Sequence, residues 1–196
     1  DIKAIALEPC IGLLELCSVA RGVEVADAVL WEARVELVFA TPVQPGKYLL
    51  LFTGSVQAVT SSARRGAEVA GTDLVDQLVI QQLHEQVVPI LKRRGGKING
   101  QIDAIGVVET TTVASAVLAA DLALKTASVD LLDLRLANGL DGKSFFVITG
   151  EVSDVRSAVA AGARQAQSAG LLAREVVIAR PHAGLEIGRA SCRERV

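Results

Sequence analysis

The sequence predicts an α+β fold, built as two tandem copies of one β-α-β-β-α-β module. Three observations lead there. The first is an internal repeat: Ile11, Gly12, Glu15, Val19 and Ala20 recur at the same spacing as Ile105, Gly106, Glu109, Val113 and Ala114. A repeat of this kind fixes the architecture before any finer reading. The second is that the match runs on through most of the chain. Ala26-Asp27 answers Ala120-Asp121, Pro45-Gly46-Lys47 answers Asp141-Gly142-Lys143, and Thr53-Gly54 answers Thr149-Gly150. Gly66-Ala67 answers Gly162-Ala163, and Val79-Ile80 with His84 answers Val177-Ile178 with His182. The third is the order of elements, which is the same in both copies. Each copy has about 80–90 residues, near the small end of ordinary domain size. The expected division is a first domain over 10–92, a linker over 93–102, a second domain over 103–184 and a tail over 185–196.

In the first copy, the apolar run 11–17 suits a buried strand, and Gly12 inside it hints at a close backbone approach. Residues 23–33 read as a helix, because Val25, Ala28, Val29 and Ala33 recur at helical spacing with Glu24, Asp27 and Glu32 between them. Glu36–Val43 returns to strand character. Pro42, Pro45 and Gly46 are expected to break the ladder and make a rigid loop over 42–46. Lys47–Thr53 is the next strand and Gly54 ends it. Val56–Ala70 is a helix with a narrow apolar face of Val56, Val59, Ala63, Ala67 and Ala70. A strand over 74–83 and a short helix over 84–92 close the copy. The basic, Gly-rich stretch 93–101 reads as a solvated connector.

The second copy repeats the series: strand 102–110, helix 112–125 with Thr111 or Thr112 as N-cap, strand 130–137, tight loop 138–142 and strand Ser144–Gly150. An Ala-rich helix over 152–169 follows, with Gly170 as its stop, and then a strand over 171–179. This β-α-β-β-α-β order is the ferredoxin-like arrangement, one sheet with both helices on one face. The other face and the edges need covering, for which self-association is the usual solution. The concentrated Arg of 186–196 has no counterpart in the first copy, and this tail is expected to be foreign to the fold.

Composition narrows the function classes. Apolar residues make up 51%, enough for a sizeable core. The 20 basic and 22 acidic residues nearly cancel and aromatics are 3%, which speaks against a nucleic-acid binder. No apolar run approaches the roughly 20 residues of a membrane-spanning helix. Cys10, Cys17 and Cys192 lack zinc-type spacing, so free thiols in a reducing cytoplasm are expected rather than disulfides. No metal site, cofactor or enzymatic activity is expected. Glu15 and Glu109 lack an accompanying nucleophile and read as subunit-interface or helix-cap acceptors. His84 and His182 occupy matching repeat positions and read as structural. Gly139-Leu140-Asp141-Gly142 is no phosphate loop, since Lys143 opens a strand.

Several stretches together carry a family resemblance. They are Ile105-Gly106-Val107-Val108-Glu109-Thr110, Ala119-Ala120-Asp121, Leu124-Lys125-Thr126-Ala127, Gly150-Glu151-Val152, Ala161-Gly162-Ala163 and Ile178-Ala179-Arg180-Pro181-His182. They resemble the bacterial microcompartment shell domain, and the first half resembles a more diverged copy of it. The fused pair is similar to the tandem-domain, trimer-forming shell proteins, above all the propanediol-utilisation type. The resemblance implies a homotrimer forming a pseudohexameric, non-catalytic tile with a central pore. It further implies edge-to-edge assembly with other shell proteins, enclosed enzymes as further partners, and no nucleic acid or membrane. The loops between the second and third strands would line the pore. Here these are Val43, Gln44, Pro45 and Gly46 in one copy, and Asn138, Gly139, Leu140, Asp141 and Gly142 in the other. Read without the resemblance, both are ordinary hairpin loops.

Departures from the family pattern carry information too. Relatives of this type place a Cys before Pro-Gly-Lys, and three such thiolates hold an iron–sulfur cluster at the axis. This chain has Gln44 there, so no cluster is expected and a polar opening for small metabolites is. Lys125, Arg180 and His182 match the family's tile-edge positions. Trp31 stands at the position of Lys125 and Gln82 at that of Arg180, so the two kinds of edge should differ. Trp31 reads equally as an edge contact or as a core residue within the chain or at the trimer interface. Two further classes stay open at this stage: a ligand-sensing regulatory module of tandem ferredoxin-like repeats, and a tile carrying a redox cofactor.

Overall fold

The computed structural model describes residues 10–92, 102–137, 142–182 and 185. The first domain comprises β1 (Ile11–Leu16), α1 (Val19–Glu32), β2 (Glu36–Val43), β3 (Lys47–Thr53), α2 (Val56–Ala70) and β4 (Leu74–Ile80). A short helix, α3 (Val87–Lys92), follows it. The second comprises β5 (Ala104–Thr110), α4 (Val113–Thr126), β6 (Asp130–Leu136), β7 (Ser144–Gly150), α5 (Val152–Ser168) and β8 (Leu172–Ala179). The sheets are ordered β2-β3-β1-β4 and β6-β7-β5-β8, and every pairing is antiparallel. This is the ferredoxin-like topology twice over.

Local chemistry sets the element boundaries. α1 begins at Val19, four residues before the expected start, because the Ser18 side chain caps it by accepting from the Arg21 N–H at 3.3 Å. Gly22 lies in this first turn, and a Cβ there would lie 2.3 Å from the Tyr48 ring. Thr112 caps α4 in the same way, accepting from the Ser115 N–H. The loop expected over 42–46 is shorter. Pro42 pairs with Tyr48 and Val43 with Lys47 inside the ladder. Proline is tolerated because β2 is an edge strand whose outer side needs no donor. The turn is left to Gln44, Pro45 and Gly46, and Gly46 takes φ +95. β4 stops at Ile80, and the short helix starts at Val87 instead of 84. Gly12 is approached by a side chain, not by backbone: a Cβ there would meet the Phe52 ring at 2.5 Å.

The two faces of the first sheet have different fates. One packs Leu14, Leu16, Leu50 and Phe52 against Val25 and Val29 of α1 and Val59 and Ala63 of α2. The other carries Leu13, Leu49, Leu51, Leu78 and Ile80. These belong to one continuous core with Val113, Val117 and Leu124 of α4 and Leu131 and Leu134 of β6. The main core therefore crosses the boundary between the domains. The face for which self-association was expected is covered, in the first copy, by the second domain of the same chain.

Candidate functional site

Among the described residues no cluster of His, Cys, Asp or Glu could hold a metal ion. Two features stand out instead: the joint between the domains and the meeting of the two hairpin loops.

The joint is built around Glu15, a fully buried carboxylate. One oxygen accepts from Lys47 Nζ at 2.7 Å, and the other accepts from the Val113 backbone N–H at 2.8 Å. That N–H is the first of α4, so a strand of one domain caps a helix of the other. The placement neutralises a buried charge and satisfies a helix-end donor together. Asp76 accepts from the Thr112 hydroxyl beside it. At the far end of α4, Asp121 accepts from the His84 N–H at 2.7 Å, and Lys125 Nζ bonds Asp121 and the Gln82 carbonyl. Gln86 then finishes the joint on edge strand β6, where Oε1 accepts from the Leu131 N–H and Nε2 donates to the Val129 carbonyl. The sequence had marked Glu15, Asp121 and Lys47 as repeated positions. It gave no signal for Gln86.

The same module positions are open in the other copy. Val19, Val23 and Leu30 of α1 are 40%, 57% and 46% exposed, where their counterparts Val113, Val117 and Leu124 are at most 5%. On the second sheet, Val176 and Ile178 are 44% and 37% exposed, where Leu78 and Ile80 are 8% and 6%. Glu109 meets Lys143 at 3.4 Å, and its side chain is 35% exposed. Arg174 pairs with Glu109 across the β5–β8 ladder, as Asp76 does with Glu15 in the first domain.

The first loop lies at the end of its sheet where β1 ends and α1 begins, since Leu16 pairs with Tyr48. Val43 is buried there, while Gln44, Pro45 and Gly46 are exposed. Asn138, Gly139, Leu140 and Asp141 of the second loop lie outside the described residues, but Gly142 is described. A Cβ built on Gly142, whose φ is +81, would lie 3.3 Å from Pro45 Cδ and 3.2 Å from Lys47 Nζ. The two loops thus come together. Trp31, Lys125, Arg180 and His182 all lie at the opposite end of the molecule, where β1 starts and α1 and α4 finish. Trp31 is 83% exposed.

Gln44 supplies an amide and no thiolate. Of the described cysteines, buried Cys10 precedes β1 at the far end, and exposed Cys17 follows it at the loop-bearing end, where its Sγ donates to Asp73 Oδ1 at 3.6 Å; neither belongs to the first loop. The first loop therefore does not fit a thiolate-held iron–sulfur cluster. No described helix is long and apolar enough to cross a membrane.

Comparison with known proteins agrees with this architecture. The BMC domain model matches residues 10–83 and again 104–181. The bacterial microcompartment shell protein PduT of Citrobacter freundii is 40% identical over 176 residues, covering 90% of this chain and 95% of that protein. The shell protein PduA of the same organism is 36% identical over 87 residues, 44% of this chain and 90% of its own length, as one domain against two would give. A crystal structure of a microcompartments protein from Desulfitobacterium hafniense has a TM-score of 0.77 at 43% identity, covering 88% of this chain and 95% of that one. With both halves matched and most of the length shared, the chain belongs to the family of bacterial microcompartment shell proteins, as a member with two BMC domains in tandem.

Proposed function

We propose that three copies of this chain close into a ring of six domains, a pseudohexameric tile of a microcompartment shell with a central opening for small polar solutes. One observation carries this reading. The joint between the two domains uses α4 and one sheet face, and the matching helix and sheet face on the outside of the chain are bare and apolar. Repeating the internal joint between chains pairs those two surfaces with each other and leaves neither unpaired. The loops that meet at Pro45 and Gly142 then face the axis, and Trp31, Lys125, Arg180 and His182 lie on the outer rim, where the joints between chains end and the edges of neighbouring tiles begin.

Gln44 is the exposed polar side chain of the first loop. Its amide both donates and accepts, which suits neutral or weakly charged polar metabolites. Val43, Pro45 and Gly46, with residues 138–142, complete the lining of the opening in this reading. Other shell proteins are the edge-to-edge partners, and enclosed enzymes are the cargo. The chain acts as a wall and a filter, not as a catalyst.

Sedimentation of the purified protein should give the mass of three chains, and negative-stain images should show pseudohexagonal discs or flat sheets. A discrete dimer whose melting responds to a small ligand would instead favour a sensor. Lys125→Ala should impair sheet formation while trimers persist, and unaffected sheets would remove Lys125 from the edge. Protein purified anaerobically should carry no iron; a brown trimer would overturn the polar-pore assignment.

A further inference from the structure

We infer that Trp31 of one protomer stacks on the Arg180 guanidinium of the next, making a cation–π latch at the outer end of each joint between chains. The inference rests on the ring proposed above and goes beyond it by naming the contact. Its basis is the internal joint. There, the residue at the last turn of α4 is Lys125, whose Nζ reaches across to Gln82 just past β4. The repeat maps Lys125 onto Trp31 and Gln82 onto Arg180.

Both sides of this contact change together. In the internal joint the cation sits on the helix and its strand-side partner is neutral. In the other joint the helix offers an aromatic ring and the strand side offers the cation. One cation per joint is kept and its side is exchanged. A Trp cannot reproduce the bonds Lys125 makes to Gln82 and Asp121, because it has one N–H donor and no charge. Its ring face suits a guanidinium, which stacks flat and is more weakly hydrated than an ammonium. Within the protomer Trp31 is 83% exposed, and Arg180 is exposed as well. Arg180 is also held in place: its N–H donates to the Asp103 carbonyl at 2.7 Å.

Neighbouring residues support the same register. Asp121 accepts from the His84 N–H in the internal joint, and their counterparts Asp27 and His182 flank the proposed pair. Farther along, the Val87 N–H donates to His84 O at 3.0 Å, and the Leu185 N–H donates to His182 O at 2.8 Å. The copy therefore extends to Leu185, which is 47% exposed where Val87 is fully buried. Leu185 stands ready to fill the next chain's joint as Val87 fills this one.

Trp31 is the only tryptophan, so intrinsic fluorescence reports on it alone. In discrete trimers, acrylamide should quench Trp31 severalfold less than it quenches N-acetyltryptophanamide. Arg180→Ala should restore quenching in particles that still sediment as trimers. In a double-mutant cycle on trimer dissociation with Trp31→Ala and Arg180→Ala, the two changes should be coupled by about two- to fivefold per joint, the size of an exposed cation–π contact. Both sites are exposed in the protomer, so neither variant threatens the fold. A trimer whose Trp31 is quenched like the free indole, or whose two substitutions are additive, overturns the latch and leaves the ring standing. Protection that appears only in sheets also overturns it, moving Trp31 to contacts between tiles. A chain that sediments alone overturns both.

Discussion

Glu15 and Glu109 are one position of the module in two surroundings. Glu15 is buried between Lys47 and the first N–H of α4. Glu109 sits half-open beside Lys143. Glu15→Ala would leave a buried N–H and a largely buried ammonium without their acceptor, a change that costs about 3–5 kcal/mol when a buried pair is broken. Urea unfolding should show a loss of that size. Glu109→Ala removes a partly exposed pair and should cost the single chain at most about 1 kcal/mol. If the ring forms as proposed, Glu109→Ala should instead show itself in trimer dissociation. Equal losses in chain stability would mean that the two positions are not in the relationship described. The sequence placed both carboxylates as subunit-interface or cap acceptors, and Glu15 is a cap acceptor, at a joint inside one chain. It could not say that the helix capped belongs to the other half of the same chain, because nothing local to Glu15 encodes a partner so far along it.

Among the elements, the helices were legible and their limits less so. Apolar periodicity found α1 but set its start four residues late; the missed first turn holds Gly22, where Tyr48 presses on the helix. Pro42 looked like a stop because the sequence does not reveal which strand lies at the edge of a sheet. The repeated glycines of α2 and α5 are legible once packing is seen. A Cβ at Gly162 would lie 2.8 Å from the Ala119 carbonyl oxygen of α4, a backbone atom fixed by its own helix. Gly162→Ala gains roughly 1 kcal/mol of helix propensity. It also forces α4 and α5 apart, at the roughly 1–3 kcal/mol typical of overpacking. The net expectation is a destabilisation of up to about 2 kcal/mol, read from thermal or denaturant unfolding. A more stable variant would show that the helices can separate freely. Thr112→Ala should cost about 1 kcal/mol or somewhat more, since the hydroxyl both caps α4 and donates to Asp76.

For the whole molecule, duplication was readable from the first repeat, and it carried the fold, the domain count and the family. What it could not carry is the difference between copies that have the same pattern. Val23 and Val117 are equivalent in sequence, yet one is 57% exposed and the other fully buried. The difference arises because a chain of two modules has one joint inside it and two half-joints outside. This yields a sharp test of the assembly. Val117→Asp places an unpaired charge in the core shared by both domains and should prevent folding, seen as loss of the cooperative melt by circular dichroism. Val23→Asp places the same charge on a surface that is open in the single chain. The chain should therefore fold with a melting curve close to the parent's. It should sediment as one protomer, because in the ring the aspartate would be buried against the sheet face around Val176 and Ile178 of its neighbour. If Val23→Asp still forms trimers, the outer helix face is not the ring contact, and the equivalence of inner and outer joints fails.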